Sequence, residues 1–162
     1  MAKGKAQSEF SGLSFKKQSD SFGGSLLNGN SAKIARPLES KLPIHLTLRS
    51  NKGVMRLPQN LLRVKEILVT TNKKHGVKMY GHSNVGNHLH MVIKIPRRSI
   101  WSAYIRELTG KFAHRLQDLG GRKSAAQKFW KHRPHTRIVR GWQKAFRAAL
   151  DYIYLNDLEA EG

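Results

Sequence analysis

The stretch Asn87-His88-Leu89-His90-Met91-Val92-Ile93-Lys94-Ile95 leaves this chain few ways to fold. Side chains alternate faces along a β-strand, so residues two apart share a face. Leu89, Met91, Ile93 and Ile95 then form one unbroken apolar face that needs covering by helices. His88 and His90 share the other face, where two neutral imidazoles side by side can hold one divalent metal ion. A histidine pair on a strand is also what an ordinary polar sheet surface presents. The features that separate these readings lie near the other end of the chain.

The chain has 162 residues, enough for one domain with a core of its own. Its 30 Lys and Arg against 10 Asp and Glu give a formal charge of +20. A field of that size implies a polyanionic partner, nucleic acid before an acidic membrane surface; a basic binding protein without chemistry also fits. The four acids of residues 151–162 stand without Lys or Arg, so the charge is carried by the body of the chain. There is no cysteine, which excludes disulfides, thiolate catalysis and cysteine-bound zinc. No apolar run of about 18 residues is present, so no membrane span is expected. The N-terminus lacks the apolar block of a signal peptide, and a cytoplasmic, nucleoid-associated protein is expected.

Residues 1–40 are rich in Ser, Gly and Lys with no sustained period, which predicts a flexible basic arm ahead of one domain over 41–162. Leu42 to Arg49 alternates as a strand, with Ile44, Leu46 and Leu48 inward and His45, Thr47 and Arg49 outward. Pro58 suits a first helical turn; Leu61, Val64, Leu68 and Thr71 recur at helical spacing, and Gly76 can cap the end. Val77 to His82 reads as a strand showing Lys78, Tyr80 and His82 outward, turning through Ser83–Gly86 into the histidine strand. Ser99 is placed to cap a helix whose apolar face is Trp101, Ile105, Leu108, Phe112, Leu116 and Leu119, ending at Gly120-Gly121. Lys111, Arg115, Arg122 and Lys123 make that end basic. Phe129 to Arg140, with Trp130, Arg133 and Arg137, holds a last strand or hairpin, and a helix runs from about Trp142 to Asn156.

This order describes an α+β, ferredoxin-like fold: an antiparallel sheet with helices on one face and a tyrosine-bearing C-terminal helix. The open face would show His45, Thr47, Arg49, Lys78, Tyr80, His82, His88 and His90, a plausible platform for nucleic-acid bases and phosphates. On the last helix, Tyr152 and Asn156 are four apart and share an edge, above Ala145, Ala148 and Ala149. Tyr154 points away on the side of Arg147, Leu150 and Asp151, and Tyr152 could equally be a boundary aromatic.

Gly86-Asn87-His88-Leu89-His90 resembles the HUH motif of single-strand endonucleases, two histidines around a hydrophobic residue. Tyr152-Ile-Tyr-Leu-Asn156 resembles the tyrosine-helix motif of REP-associated tyrosine transposases, relatives of the single-tyrosine transposases of small insertion sequences. The strand at Leu42 and the Phe129-Trp130…His132-Arg133 stretch are similar to that family too, so the resemblance covers Leu42 to Gly162. Asp157 stands where family members usually have proline. A pair of H-x-T motifs would instead suggest a two-histidine phosphoesterase; His45-Leu46-Thr47 supplies one, but the second position reads His88-Leu89-His90.

The resemblance implies that His88, His90 and Asn156 hold Mg2+ or Mn2+, and that Tyr152 attacks single-stranded DNA near a hairpin to give a 5′-phosphotyrosine and a free 3′-OH. It implies a REP-like or element-end palindrome as substrate, and either a monomer or a homodimer. His45, His82 or a water held by the metal are candidates to take the phenol proton. The alternative is a domesticated module of the same fold that binds nucleic acid without cleaving it.

Overall fold

The computed structural model describes residues 21–25, 36–116, 128–141 and 143–161. The elements run β1 (Ser21–Ser25), β2 (Ile44–Arg49), α1 (Pro58–His75), β3 (Lys78–Asn84), β4 (His88–Lys94), α2 (Trp101–Arg115), β5 (His132–Ile138) and α3 (Lys144–Glu161). Five antiparallel strands in the order β1-β5-β2-β4-β3 form one sheet. This is the expected α+β arrangement. No described helix is long and apolar enough to cross a membrane.

The alternation of β2 and β4 decides the core. Ile44, Leu46, Leu48, Leu89, Met91 and Ile93 are fully buried on one face, under Val64, Ile67 and Leu68 of α1 and Tyr104, Leu108 and Phe112 of α2. Each such side chain contributes about 1.5–3 kcal/mol by leaving water. Pro58 opens α1, and Gly76, at φ +62°, closes it by donating its N–H to the Asn72 and Lys73 carbonyls.

Three details depart from the expected helix faces. Leu61 is about half exposed, because the buried stripe of α1 runs through Asn60, Val64, Ile67, Leu68 and Thr71. Ser99 does not cap α2; it lies in the 3-10 turn Arg98–Ile100 that leads into the helix. Tyr104 joins the core, and its hydroxyl donates to Asn72 Oδ1 at 2.9 Å, which satisfies two buried polar groups together. Leu119, Gly120 and Gly121 lie outside the described residues.

Ser21–Ser25, inside the stretch expected to be an arm, pairs along β5 as the edge strand. Its sequence, Ser-Phe-Gly-Gly-Ser, carries no alternation that could announce a strand. Arg36 anchors the same region: its Nη1 donates to the Pro134 carbonyl at 2.7 Å and to Thr136 Oγ1 at 3.0 Å. Pro134 cannot donate to a ladder, and the β1–β5 register shifts around it.

A bulge in β3 changes which side chains face which way. Met79 pairs with Ile93 and Gly81 with Val92, so Tyr80 is the extra residue. Beyond it the alternation inverts: Gly81 and Ser83 lie opposite Val92 and His90, whereas His82 lies opposite Met91. His82 is therefore not on the histidine face where the plain period put it.

α1 and α2 cover the apolar face, and α3 lies across the opposite, polar face over β3 and β4. It can approach because Gly81 has no side chain: a Cβ there would sit 3.3 Å from Leu150 Cδ2 and 3.9 Å from Ile153 Cγ2. Leu150, expected on the outer side of α3, thus packs inward with Ile153 and Phe146, whose ring meets Tyr80 edge-on at 5.0 Å. The polar face is half covered rather than open. Gly81→Val should cost about 1–3 kcal/mol by wedging α3 off the sheet; urea unfolding that shows no loss would contradict this docking.

Candidate functional site

The polar face of β4 and β2 gathers the candidate residues by plain cross-strand pairing. Thr47 lies opposite His90, Arg49 opposite His88, and His45 opposite Val92. The β3–β4 turn holds His88 in place: Asn84 Oδ1 accepts the Gly86 N–H at 3.0 Å, and Asn84 Nδ2 donates to the Met55 carbonyl at 2.7 Å. Gly86 sits at φ +90°, a conformation that a side chain strains, packed over Arg56 and Gly53.

Four rings meet under α3. His88 and His90 lie nearly parallel with centroids 6.0 Å apart, and His45 stacks on the other side of His90 at 5.5 Å. Tyr152 descends from α3 and meets His90 edge-on at 5.5 Å and His45 at 5.7 Å. The phenol-bearing residue keeps 47% of its surface exposed, so a large substrate can reach it. The meeting occurs within a single chain. Of the imidazoles considered as proton acceptors, His45 lies beside the phenol. His82 instead stands in the fields of Asp157 and Lys65.

The environment keeps these imidazoles neutral. Burial, then the neighbouring His88, pushes His90 down to about 4. Burial, followed by His90, His135 and Arg137, pushes His45 down to about 4 as well. His88 is lowered by burial and by Arg49, His132 and Lys131. A neutral imidazole keeps a lone pair for a metal. His88 Nδ1 lies 2.6 Å from Asn87 Oδ1, which can only accept, so Nδ1 carries the hydrogen and Nε2 is the free donor atom. His90 Nδ1 shares a hydrogen bond with Thr47 Oγ1 at 3.2 Å.

Among the described residues, no group of three or more His, Cys, Asp or Glu is arranged to hold a metal ion. A third donor must come from an amide or from substrate. Asn156 stands one turn beyond Tyr152 and donates its Nδ2 to the Tyr152 carbonyl at 2.6 Å, which leaves its Oδ1 as the atom a cation would need. Two buried polar atoms beside the cluster, His45 Nε2 and Ser83 Oγ, lack a hydrogen-bond partner. Ser83 lies directly opposite His90. Neutral donors and unpartnered polar atoms at one spot fit a site built for a polar ligand or ion.

The cations expected to bind nucleic acid divide into two groups. Arg49 stands next to His88 and Arg137 next to His45, on the face of the site. Lys111 and Arg115 lie in the helical layer on the other side of the sheet, where Lys111 pairs with Glu107 at 2.8 Å and Arg115 with Glu66 at 3.2 Å. Trp130 packs against Phe112 and donates its Nε1–H to the Thr109 carbonyl at 3.0 Å, so it belongs to the core. Tyr80 is engaged with Phe146 rather than free for a base, and Lys78 stands over the Tyr80 ring. Arg133 sits by the Pro134 irregularity, and burial, then Arg133, lowers the Arg36 guanidinium to about 10. Arg122 and Lys123 lie outside the described residues. Residues that pattern alone did not single out include Ser83, Asn87 and His135. The bulge that turns Ser83 inward has no signal in the sequence.

The model of a family described as "Transposase IS200 like" matches residues 39–153. A solved structure titled as a REP-associated tyrosine transposase bound to a REP hairpin is similar in fold, with a TM-score of 0.63 and 16% identity. The match covers 80% of this chain and 74% of that one. A protein of Deinococcus radiodurans R1 described as a candidate transposase matches with a TM-score of 0.49 and 15% identity, over 78% of this chain and 98% of that one. No curated protein matches the chain.

The pKa shifts fix the sign of a pH effect on stability. His45 and His90 sit near 4 when folded against 6.5 ordinarily, so below pH 6.5 the unfolded chain takes up protons first. Stability should be full above pH 6.5 and fall as pH drops toward 4. Glu107, held at about 2 by Lys111, Lys74 and His75, adds a loss only below its ordinary 4.5. Thermal melting should show Tm falling between pH 6.5 and 4.5, less steeply in His90→Asn; a flat wild-type profile there would contradict the buried neutral imidazoles.

Proposed function

The chain belongs to the IS200-like transposase family, and from that membership and the geometry under α3 we propose that it cuts and rejoins single-stranded DNA with Tyr152 as nucleophile. The observation that carries the reading is the contact of the Tyr152 ring with His90 and His45, on a helix that could have docked its tyrosine elsewhere. The Tyr152 oxygen attacks phosphorus, an O–P bond forms, and the bond from phosphorus to the 3′ oxygen breaks. That yields a 5′-phosphotyrosine and a 3′-OH, and the phenol proton leaves during attack because a free phenol has a pKa of about 10. The phosphotyrosine retains the bond energy, so another 3′-OH can reverse the step without a nucleotide cofactor.

His88, His90 and Asn156 would hold a divalent cation, Mg2+ or Mn2+. Such an ion polarises the scissile phosphate and offsets charge developing on its oxygens. The protein's own contribution is to present neutral imidazoles, fix the His88 tautomer through Asn87, and hold the phenol against them. Arg137 and His135 on one side and Arg49, Lys131 and His132 on the other bracket the cluster, and the substrate strand is expected to lie across them. A DNA hairpin is the proposed recognition element, by analogy with the REP hairpin bound in the similar structure.

The test is incubation with hairpin-bearing single-stranded DNA and Mn2+. A covalent adduct should survive denaturing gels, vanish with EDTA, and vanish in Tyr152→Phe while binding persists. An undiminished adduct in that variant would refute the assignment; binding without any adduct in the wild type would favour a non-cleaving module. Asn156→Ala should slow adduct formation about 10- to 100-fold, as loss of one member of a metal's ligand shells does. A wild-type rate would remove Asn156 from the site.

A further inference from the structure

At the end of the sheet away from the Asn84–His88 turn, three lysines crowd one depression. Lys78 and Lys94 are direct cross-strand partners on β3 and β4. Like charges placed opposite one another weaken a strand pair, so the pairing concentrates positive charge at a cost to the sheet. Lys41, just before β2, closes the third side, and with Gly76 and Pro96 the three line a cavity of about 420 Å3.

Among the described residues, nothing acidic neutralises it. The ion pairs among the described residues are made by Lys74, His75, Lys111 and Arg115, none by these lysines. The Glu39 carboxylate accepts the Lys41 backbone N–H at 3.1 Å, not its ammonium. The C-terminal end of α1 at Gly76 contributes only about half a negative charge, against three full positive ones. The rim is therefore cationic with spare donors, and the space suits a tetrahedral oxyanion.

We propose that this pocket binds a backbone phosphate of the nucleic acid, as a second station on the face of the sheet that carries His88 and His90. Lys94 is four residues from His90 on β4, about 13 Å at the rise of a strand. Val92, between them on that face, is fully buried, so the pocket and the tyrosine are separate contacts rather than one groove. The ligand class rests on the DNA-acting reading above; the cationic pocket does not depend on cleavage.

The test measures affinity of the full chain for a hairpin oligonucleotide with long single-stranded flanks across a range of salt. Each phosphate contact on a single strand contributes about 0.7 to the slope of log affinity against log salt, so Lys41→Gln/Lys94→Gln, by emptying a pocket that holds one phosphate, should lower it by about 0.7. Lys74→Gln, which removes one charge in the helical layer, should leave the slope unchanged. Relief of the Lys78–Lys94 repulsion means the double variant should melt no lower than wild type, which keeps misfolding out of the comparison. An unchanged slope in the folded double variant overturns the proposal, and so does an equal fall in Lys74→Gln. A pocket for free phosphate would appear as inorganic phosphate raising the Tm of wild type but not of the double variant, with equal slopes; that also overturns it. Failure of the Tyr152 adduct with the slope change intact would remove strand cleavage and leave the pocket standing.

Discussion

The seating of α3 on the polar side of the sheet is the contact on which the rest depends. It has little area to work with: Phe146 on Tyr80, and Leu150 and Ile153 over Gly81. These few contacts turn a sheet face that would otherwise be wet into a half-enclosed site. They desolvate His45 and His90, hold both imidazoles neutral, and bring a phenol to their edge. The apolar layer of α1 and α2 supplies the stability, and α3 draws on it, since burying unpaired polar atoms such as His45 Nε2 and Ser83 Oγ costs about 1–3 kcal/mol each. A site that carries such a cost is one in which a ligand can replace the missing partners.

Much of this was legible in the chain itself, for identifiable reasons. A period of two in Ile44-Leu46-Leu48 and Leu89-Met91-Ile93 is unambiguous, because both strands are central and bury one face completely. The Pro58 and Gly76 ends of α1 follow from backbone chemistry that few other residues satisfy. The histidine pair and the four-residue spacing of Tyr152 and Asn156 follow from the same two periods. The structure adds that the Tyr152 ring meets His90 and His45.

What the chain did not disclose has equally specific causes. One extra residue at Tyr80 inverts β3 beyond it, exchanging His82 for Gly81 and Ser83 while Tyr80 stays beneath Phe146, and no local pattern marks a bulge inside an alternating run. β1 forms because β5 offers it an open edge, not because Ser-Phe-Gly-Gly-Ser favours a strand. Helical spacing alone places Leu150 outward, but the absent side chain of Gly81 makes room for it against the sheet. Lys111, Arg115 and Trp130 looked like ligands for DNA because charge and aromaticity were all that could be read. Glu107, Glu66 and the Thr109 carbonyl, distant in sequence or hidden in the helix, already occupy them.

The claim most exposed to refutation is that a cation held by the paired imidazoles lies next to the tyrosine of the same chain. Titration with Mn2+, followed by NMR of ring-labelled His and Tyr, tests it without reference to DNA or to cleavage. Paramagnetic broadening should strike His88, His90 and Tyr152 together at low stoichiometry and spare His75, which the sheet separates from them. Broadening of the two histidines with a sharp Tyr152 signal would contradict the seating of α3, and broadening of none would contradict the metal site.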